Sequence, residues 1–446
     1  MTRERVLNMI GGSSGEQGAE SASGSKNPGG KLSDLAIKGG EPTRHQTFPD
    51  WPYFDSEEAT QLLEVLKSGI WGGYSAKVEE FEGRFSRYLG AKHCIAVANG
   101  TVSLHAALRV EGIGPGDEVI VPPYTFVATA GAVLQVGAIP VFADIEPGTL
   151  NLDPDRFESA IGEKTRAVIP VHFAGHSADM NRIQAIAQAH GLIVIEDAAH
   201  AHGAEYMGKR LGTLGDWGSF SFQSTKVMAS GEGGCLVTRD QDRAERARSY
   251  CNHGRTAGHG WYEHSRSGTN YRITGFQAGI LLAQLSRLDR QIAVRESNAE
   301  LLRKKLSAFP GIDPLERLSY ATRHSEMFFL FRFHSEIAGM DKAMLEASLM
   351  AEGIPVQQLY PYPLYRNPMF VESSFKNAGC PVAEASCEQI VALPINVLMG
   401  SATDTEDVVS AVQKIYENRQ SLSERAFLNQ RERRSDRSRL PTSVRD

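Results

Sequence analysis

Between residues 118 and 197 the chain alternates short apolar runs with amphipathic stretches, and this alternation narrows the possible folds more than any other feature. The runs Glu118-Val119-Ile120-Val121 and Pro140-Val141-Phe142-Ala143, with residues 167–171 and 192–195, are each bounded by turn-forming residues. Apolar runs of this length without a polar alternate read as strands covered on both faces. Helix-like periodicity marks residues 57–68, 76–89, 101–111 and 177–190. Strands alternating with helices predict a parallel sheet with right-handed crossovers, hence an α/β fold. In such sheets ligands collect beyond the carboxyl ends of the strands.

With 446 residues the chain is too long for one hydrophobic core. A long helical pattern over 277–308 leads into a second domain. The sequence divides into a leader (1–34), a large domain (35–300), a smaller C-terminal domain (301–418) and an arginine-rich tail (419–446). The leader, with Gly11-Gly12-Ser13-Ser14-Gly15, buries too little apolar surface to offset its ordering entropy and is expected to be disordered. The tail, carrying Arg431, Arg433, Arg434, Arg437 and Arg439, is expected to be solvated.

Composition excludes several classes of function. A net charge of −6 gives no reason to expect a nucleic-acid partner. No apolar run is long enough to cross a bilayer, and the N-terminus lacks the apolar stretch of a signal peptide. Five cysteines without CxxC spacing read as reduced, buried thiols of a cytoplasmic protein, and no residues are assigned to a metal. There is no P-loop and no GxGxxG after a strand.

The chemistry lies in two residues. Asp197, in Glu196-Asp197-Ala198-Ala199-His200, ends a strand-like run. Lys226 follows another, Phe220-Ser221-Phe222, and precedes Gly231-Glu232-Gly233-Gly234. Alone, such a lysine reads as a surface group and such an aspartate as a helix cap. Together, an amine that forms a Schiff base and a carboxylate that keeps a pyridine nitrogen protonated are the two fixed points of pyridoxal 5′-phosphate (PLP) chemistry. That cofactor also needs a surface for its ring and donors for its phosphate. Phe126, after a strand-like run, is a stacking candidate. Asn99-Gly100-Thr101 opens a helix, whose free N–H groups suit a phosphate, and Ser221 offers a hydroxyl nearby.

These residues and their flanks resemble the DegT-type sugar aminotransferases. The likeness runs through Asn99-Gly100-Thr101, Gly114-Pro115-Gly116-Asp117, Pro170-Val171-His172, Glu196-Asp197-Ala198-Ala199-His200-Ala201-His202-Gly203, Lys226 with its glycines, Gly268-Thr269-Asn270-Tyr271-Arg272 and Gln284-Leu285-Ser286-Arg287-Leu288-Asp289. It covers about residues 35–418. The resemblance implies a fold-type-I PLP-dependent transferase, with a mainly parallel seven-stranded sheet between helices and a smaller C-terminal α/β domain. It implies that Lys226 carries the cofactor and is catalytic, and that Asp197 binds the pyridine nitrogen. Phe126 would stack on the ring, where the family often has tryptophan. Gly100, Thr101 and Ser221 would hold the phosphate, and His200 would lie near the ring oxygen. Asn270 would reach the phosphate of a neighbouring subunit, making a homodimer with shared active sites.

The implied reaction transfers an amino group from glutamate or glutamine to a keto-sugar or keto-cyclitol in polysaccharide or antibiotic biosynthesis. In Tyr360-Pro361-Tyr362-Pro363-Leu364-Tyr365 tyrosines stand where members that accept nucleotide sugars often carry histidine. Members acting on inosose or making aminohydroxybenzoate also depart there, and Phe48-Pro49-Asp50-Trp51-Pro52 leans the same way. Three alternatives stay open: an aminohydroxybenzoate-synthase-like enzyme, a sugar dehydratase of the same fold, and a non-enzymatic regulator. The dehydratases replace the lysine with histidine, and an intact Asp197–Lys226 pair argues against a regulator.

Overall fold

The computed structural model describes residues 34–422. The expectations for the leader up to residue 33 and for the tail from residue 423 fall outside them. The apolar runs form the strands β1 (His93–Val97), β2 (Glu118–Val121), β3 (Ile139–Phe142), β4 (Thr165–Val168), β5 (Ile193–Asp197), β6 (Trp217–Ser221) and β7 (Gly234–Thr238). The C-terminal part contributes β8 (Ile312–Pro314), β9 (Phe328–Phe333), β10 (Lys376–Asn377) and β11 (Ile390–Pro394).

The main sheet runs β1-β7-β6-β5-β4-β2-β3-β10. Seven strands match the expected number. The eighth, the two-residue β10, comes from the C-terminal part and pairs parallel with β3, covering an edge that would otherwise stay unpaired. From β6 through β5, β4, β2 and β3 the pairings are parallel, while β7 is antiparallel to both its neighbours. The carboxyl ends of β1, β2, β5 and β6 therefore share one edge. A second, antiparallel sheet, β8-β9-β11, forms a smaller α/β domain with its own apolar core, including Phe329, Phe331, Leu345 and Val412.

Capping fixes where the helices begin. The helices include α1 (Ser56–Ser68), α2 (Ala76–Leu89), α3 (Gly100–Val110), α4 (Ala128–Gln135), α5 (Met180–His190), α6 (Gly275–Leu306) and α7 (Ala402–Glu417). Asp55 and Glu58 form a capping box on α1, and Thr274 with Gln277 another on α6. The helix expected over 177–190 starts later, because the Asp179 carboxylate accepts the Arg182 N–H and sets the first turn there. Helix α6 runs straight through residues 300 and 301, so a division drawn between them cuts a continuous element shared by both cores.

Side-chain alternation along β6 builds the floor of the site. Phe220 and Phe222 point to one face, where their rings meet Phe85 edge-on at 5.3 and 5.6 Å. Ser219 and Ser221 point to the other, against α3. Helix α6 is locked to α1 by Arg287, which reaches both carboxylate oxygens of buried Glu58 at 2.7–2.9 Å. All five cysteines are free and buried. Among the described residues no helix is long and apolar enough to cross a membrane.

Candidate active site

A cavity of about 900 Å³ opens at the shared carboxyl edge. Asp197, Ser221, Gly100, Thr101, Phe126, His200 and Lys226 all line it. Residues far apart in sequence thus meet because four strands end at the same edge of the sheet.

Asp197 is the last residue of β5 and is buried. Its Oδ2 accepts the Thr129 hydroxyl at 2.8 Å and its Oδ1 the Ala199 N–H at 3.2 Å. Burial pushes its carboxyl above the usual range; those two hydrogen bonds, and then the charge of Lys226, oppose the rise. Its backbone is pinned from both sides, with Asp197 N–H donating to Pro170 O and His172 N–H donating to Asp197 O. His172 is held by Glu196 at 2.9 Å, and that carboxylate also accepts the Gly212, Leu214 and Gly215 N–H groups. The end of β5 is therefore rigid.

Lys226 lies between β6 and β7 on a loop that is tied down. Phe222 N–H donates to Gly233 O, Ser224 N–H to Gly231 O, and the Trp51 indole to Lys226 O at 3.1 Å. Burial lowers the Lys226 ammonium from 10.5 to about 8, against the opposing pull of Asp197. A sizeable share of the amine is then neutral near physiological pH, as a nucleophile requires.

Gly100 begins α3, and the Asn99 side chain caps it by accepting the Val102 N–H at 2.9 Å. A Cβ on Gly100 would lie 2.8 Å from Cβ of Ser221, and one on Gly234 would lie 2.4 Å from the Asn99 carbonyl carbon. Glycine at both positions lets helix and strand ends close into a cradle of N–H groups with the Thr101 and Ser221 hydroxyls beside it. Phe126 leaves 58% of its surface exposed at the cavity, so a ring face is free for stacking. His200 is buried, and its Nδ1 accepts the Ala174 N–H at 3.2 Å. Burial and then Lys226 hold its imidazole well below the usual range. The neutral ring thus keeps its proton on Nε2, ready to donate.

Two features escaped the sequence reading. Thr129, which orients Asp197, sits on α4 with no motif to mark it. Gln357, Gln358, Met327 and Phe328 reach the cavity from the smaller domain, Phe328 at the start of β9 and Gln357 with its N–H on Ala392 O of β11. Tyr360, from the tyrosine loop, lines the same wall and packs edge-on against Tyr124 at 5.2 Å. Asn270 is not brought to this cavity. It is exposed, accepts the Arg272 N–H and bridges to Asn252.

An amine, a buried acid, an exposed aromatic ring and a helix N-terminus meet in one cavity at the end of a sheet covered on both faces, a set that suits PLP, and the architecture is that of a PLP-dependent transferase of fold type I. The chain belongs to the DegT/DnrJ/EryC1/StrS aminotransferase family, whose model matches residues 52–413, and it is a PLP-dependent aminotransferase. A Streptoalloteichus tenebrarius protein named as a candidate L-glutamine:3-amino-2,3-dideoxy-scyllo-inosose aminotransferase is 40% identical over 417 residues, covering 87% of this chain and 99% of its own. The L-glutamine:2-deoxy-scyllo-inosose aminotransferase of Streptomyces kanamyceticus is 36% identical over 423 residues, covering 88% and 99%. The crystal structure of 3-amino-5-hydroxybenzoic acid synthase superposes with a TM-score of 0.78 at 36% identity, covering 83% of this chain and all of that one.

Proposed function

We propose that this enzyme transfers the amino group of L-glutamine to the ketone of a cyclitol, working in the cytoplasm as a homodimer with shared sites. The observation that carries the acceptor class is the wall formed by Gln357, Gln358 and Tyr360, whose side chains are polar and uncharged and line the same cavity as Lys226 and Asp197. Amide and phenol groups suit the hydroxyls of a polyol. Burial, and then the nearby Asp197, push the Tyr360 phenol up, so it stays a neutral hydrogen-bond donor. The names of the two inosose aminotransferases support the same class.

When bound, PLP supplies an aldehyde for amines and a ring that takes up the electron pair left by proton removal at carbon. Each residue then has a defined task. Asp197, held by Thr129, would keep the proton on the ring nitrogen. Gly100, Thr101 and Ser221 would hold the phosphate, and Phe126 would pack on the ring. His200 would donate from Nε2 to the cofactor. Lys226 would anchor the cofactor, then remove the proton from the donor carbon and return one to the acceptor carbon. Asn270, exposed on its own subunit, would serve the phosphate of its partner's site. The intact lysine favours amino transfer over dehydration.

Amino transfer from L-glutamine to a keto-inositol and to a nucleotide-linked keto-sugar, measured side by side, tests the acceptor. The cyclitol is expected to be preferred by about a hundredfold or more in kcat/KM, since unpaired polar groups in a mismatched site discriminate on this scale. A preference for the nucleotide sugar would refute the acceptor class.

A further inference from the structure

Outside the cofactor cavity, the turn after β4 and the approach to β9 bring His176, His324 and Glu326 together in a fully buried cluster. Their exposures are 4%, 1% and 0%. One ligand atom from each lies within 4.8 Å of the other two. His176 Nε2 is 3.8 Å from Glu326 Oε2, His324 Nδ1 is 3.6 Å from Glu326 Oε1, and the two imidazole centroids are 4.2 Å apart. These separations are too long for hydrogen bonds. Both ring nitrogens of His324, Nδ1 of His176 and Oε2 of Glu326 are without partners. Buried polar atoms are nearly always satisfied, and four orphans on three side chains of one buried cluster call for an explanation.

We propose that this cluster binds a divalent transition metal, Zn²⁺ being the class that suits two imidazoles and a carboxylate. With bonds of about 2.0–2.2 Å, a tetrahedral ion sets its ligand atoms roughly 3.3–3.6 Å apart, so small side-chain rotations close the cluster onto a metal. Arg303 takes Glu326 Oε1 at 2.9 Å and leaves Oε2 for the ion, as an outer partner that orients a metal ligand. The backbone of both histidines is fixed as well: Asn151 donates to the His176 carbonyl, and the backbone N–H of His324 donates to Glu296.

The backbone pays for the proximity with unusual conformations. Ala174 and Glu326 have φ of 54° and 48°, and Gly175 has φ of 89° where a Cβ would meet the Ser325 hydroxyl. Three bonds lace the same segments to the cofactor cavity. Met327 N–H donates to Ala174 O, the Ser325 hydroxyl to His200 O, and Ala174 N–H to His200 Nδ1. Met327 and Phe328 line the cavity. The metal is therefore a structural clip that holds the start of β9, and with it one wall of the cavity, against the turn that positions His200. His176 and His324 are distant in sequence and lack ligand spacing, so the sequence reading assigned no metal.

Tag-free holoenzyme, stripped with a chelator and titrated with Co²⁺ against a chromogenic competitor, tests this. Saturation at one Co²⁺ per chain, with visible bands of a four-coordinate ion, is expected. Binding should weaken about tenfold or more in His324→Gln and Glu326→Gln, by the scale on which even outer-shell changes act. X-ray absorption on the unaltered Co²⁺ protein should count two imidazoles, which keeps the test valid if a variant does not fold. No saturable binding, undiminished binding in folded variants, or fewer than two imidazoles around the ion would overturn the proposal.

Discussion

The Thr129 hydroxyl donates to Asp197 Oδ2 across 2.8 Å inside the protein. This bond favours the ionised carboxylate at a site where burial opposes ionisation. Thr129→Val keeps the shape and removes the donor. Because a hydrogen bond to a buried charge contributes about 1.5–3 kcal/mol, cofactor affinity should fall roughly ten- to a hundredfold. The loss should deepen as pH falls, since the carboxyl then titrates at higher pH. Fluorescence titration with PLP across pH checks both the size and the slope.

Gly100 makes a second, steric prediction. Its missing Cβ is what allows Ser221 to approach. Gly100→Ala should widen the phosphate cradle and raise the PLP dissociation constant by about tenfold or more, while far-UV circular dichroism stays unchanged, because the strain is confined to one contact. Equal affinity in the variant would place the phosphate elsewhere.

The lowered Lys226 pKa sets a pH dependence. Its value near 8, below 10.5, means that the cofactor-free protein exposes neutral amine as pH rises through about 8. The rate of covalent PLP capture should climb with a midpoint near there and flatten above. The sign for stability agrees: between about 8 and 10.5 the folded amine binds fewer protons than the unfolded one, so this lysine's destabilising contribution shrinks as pH rises through that window. A capture midpoint close to 10.5 would show that the amine is solvated.

Subunit mixing tests the role proposed for Asn270. Lys226→Ala and Asn270→Asp are each expected to be inactive. After dissociation and reassociation, a mixed dimer with shared sites has one site bearing both lesions and one bearing neither. Random pairing should restore about a quarter of wild-type activity, half the dimers being mixed with one intact site of two. No recovery in proven mixed dimers would confine each site to one subunit.

Much of the site was legible in the sequence because strand ends are. Asp197, Ser221 and Gly100 each adjoin an apolar run, and in a parallel sheet such positions share one edge. Strand limits were less legible. Residues 169–171, read as strand, leave the β4 ladder, although Val171 still bridges to Asp197. Thr129 was invisible because its partner lies across the sheet edge and an isolated threonine on a helix carries no pattern. The wall of Gln357 and Gln358, like the pairing of His176 with His324, depends on how the smaller domain docks, which local periodicity does not encode. Helix α6 shows the same limit: its length was readable, but its joint membership of two cores follows from packing.

Lys226 is the residue on which the proposed chemistry turns, as carrier of the cofactor. Borohydride reduction of the PLP-loaded protein, followed by digestion and mass spectrometry, tests it directly. The reduced cofactor should appear on the peptide containing Lys226 and on no other, and Lys226→Ala should retain the fold but yield no labelled peptide. Label on a different lysine, or a Lys226→Ala protein that is still labelled and keeps more than a few per cent of parental turnover, would contradict the assignment.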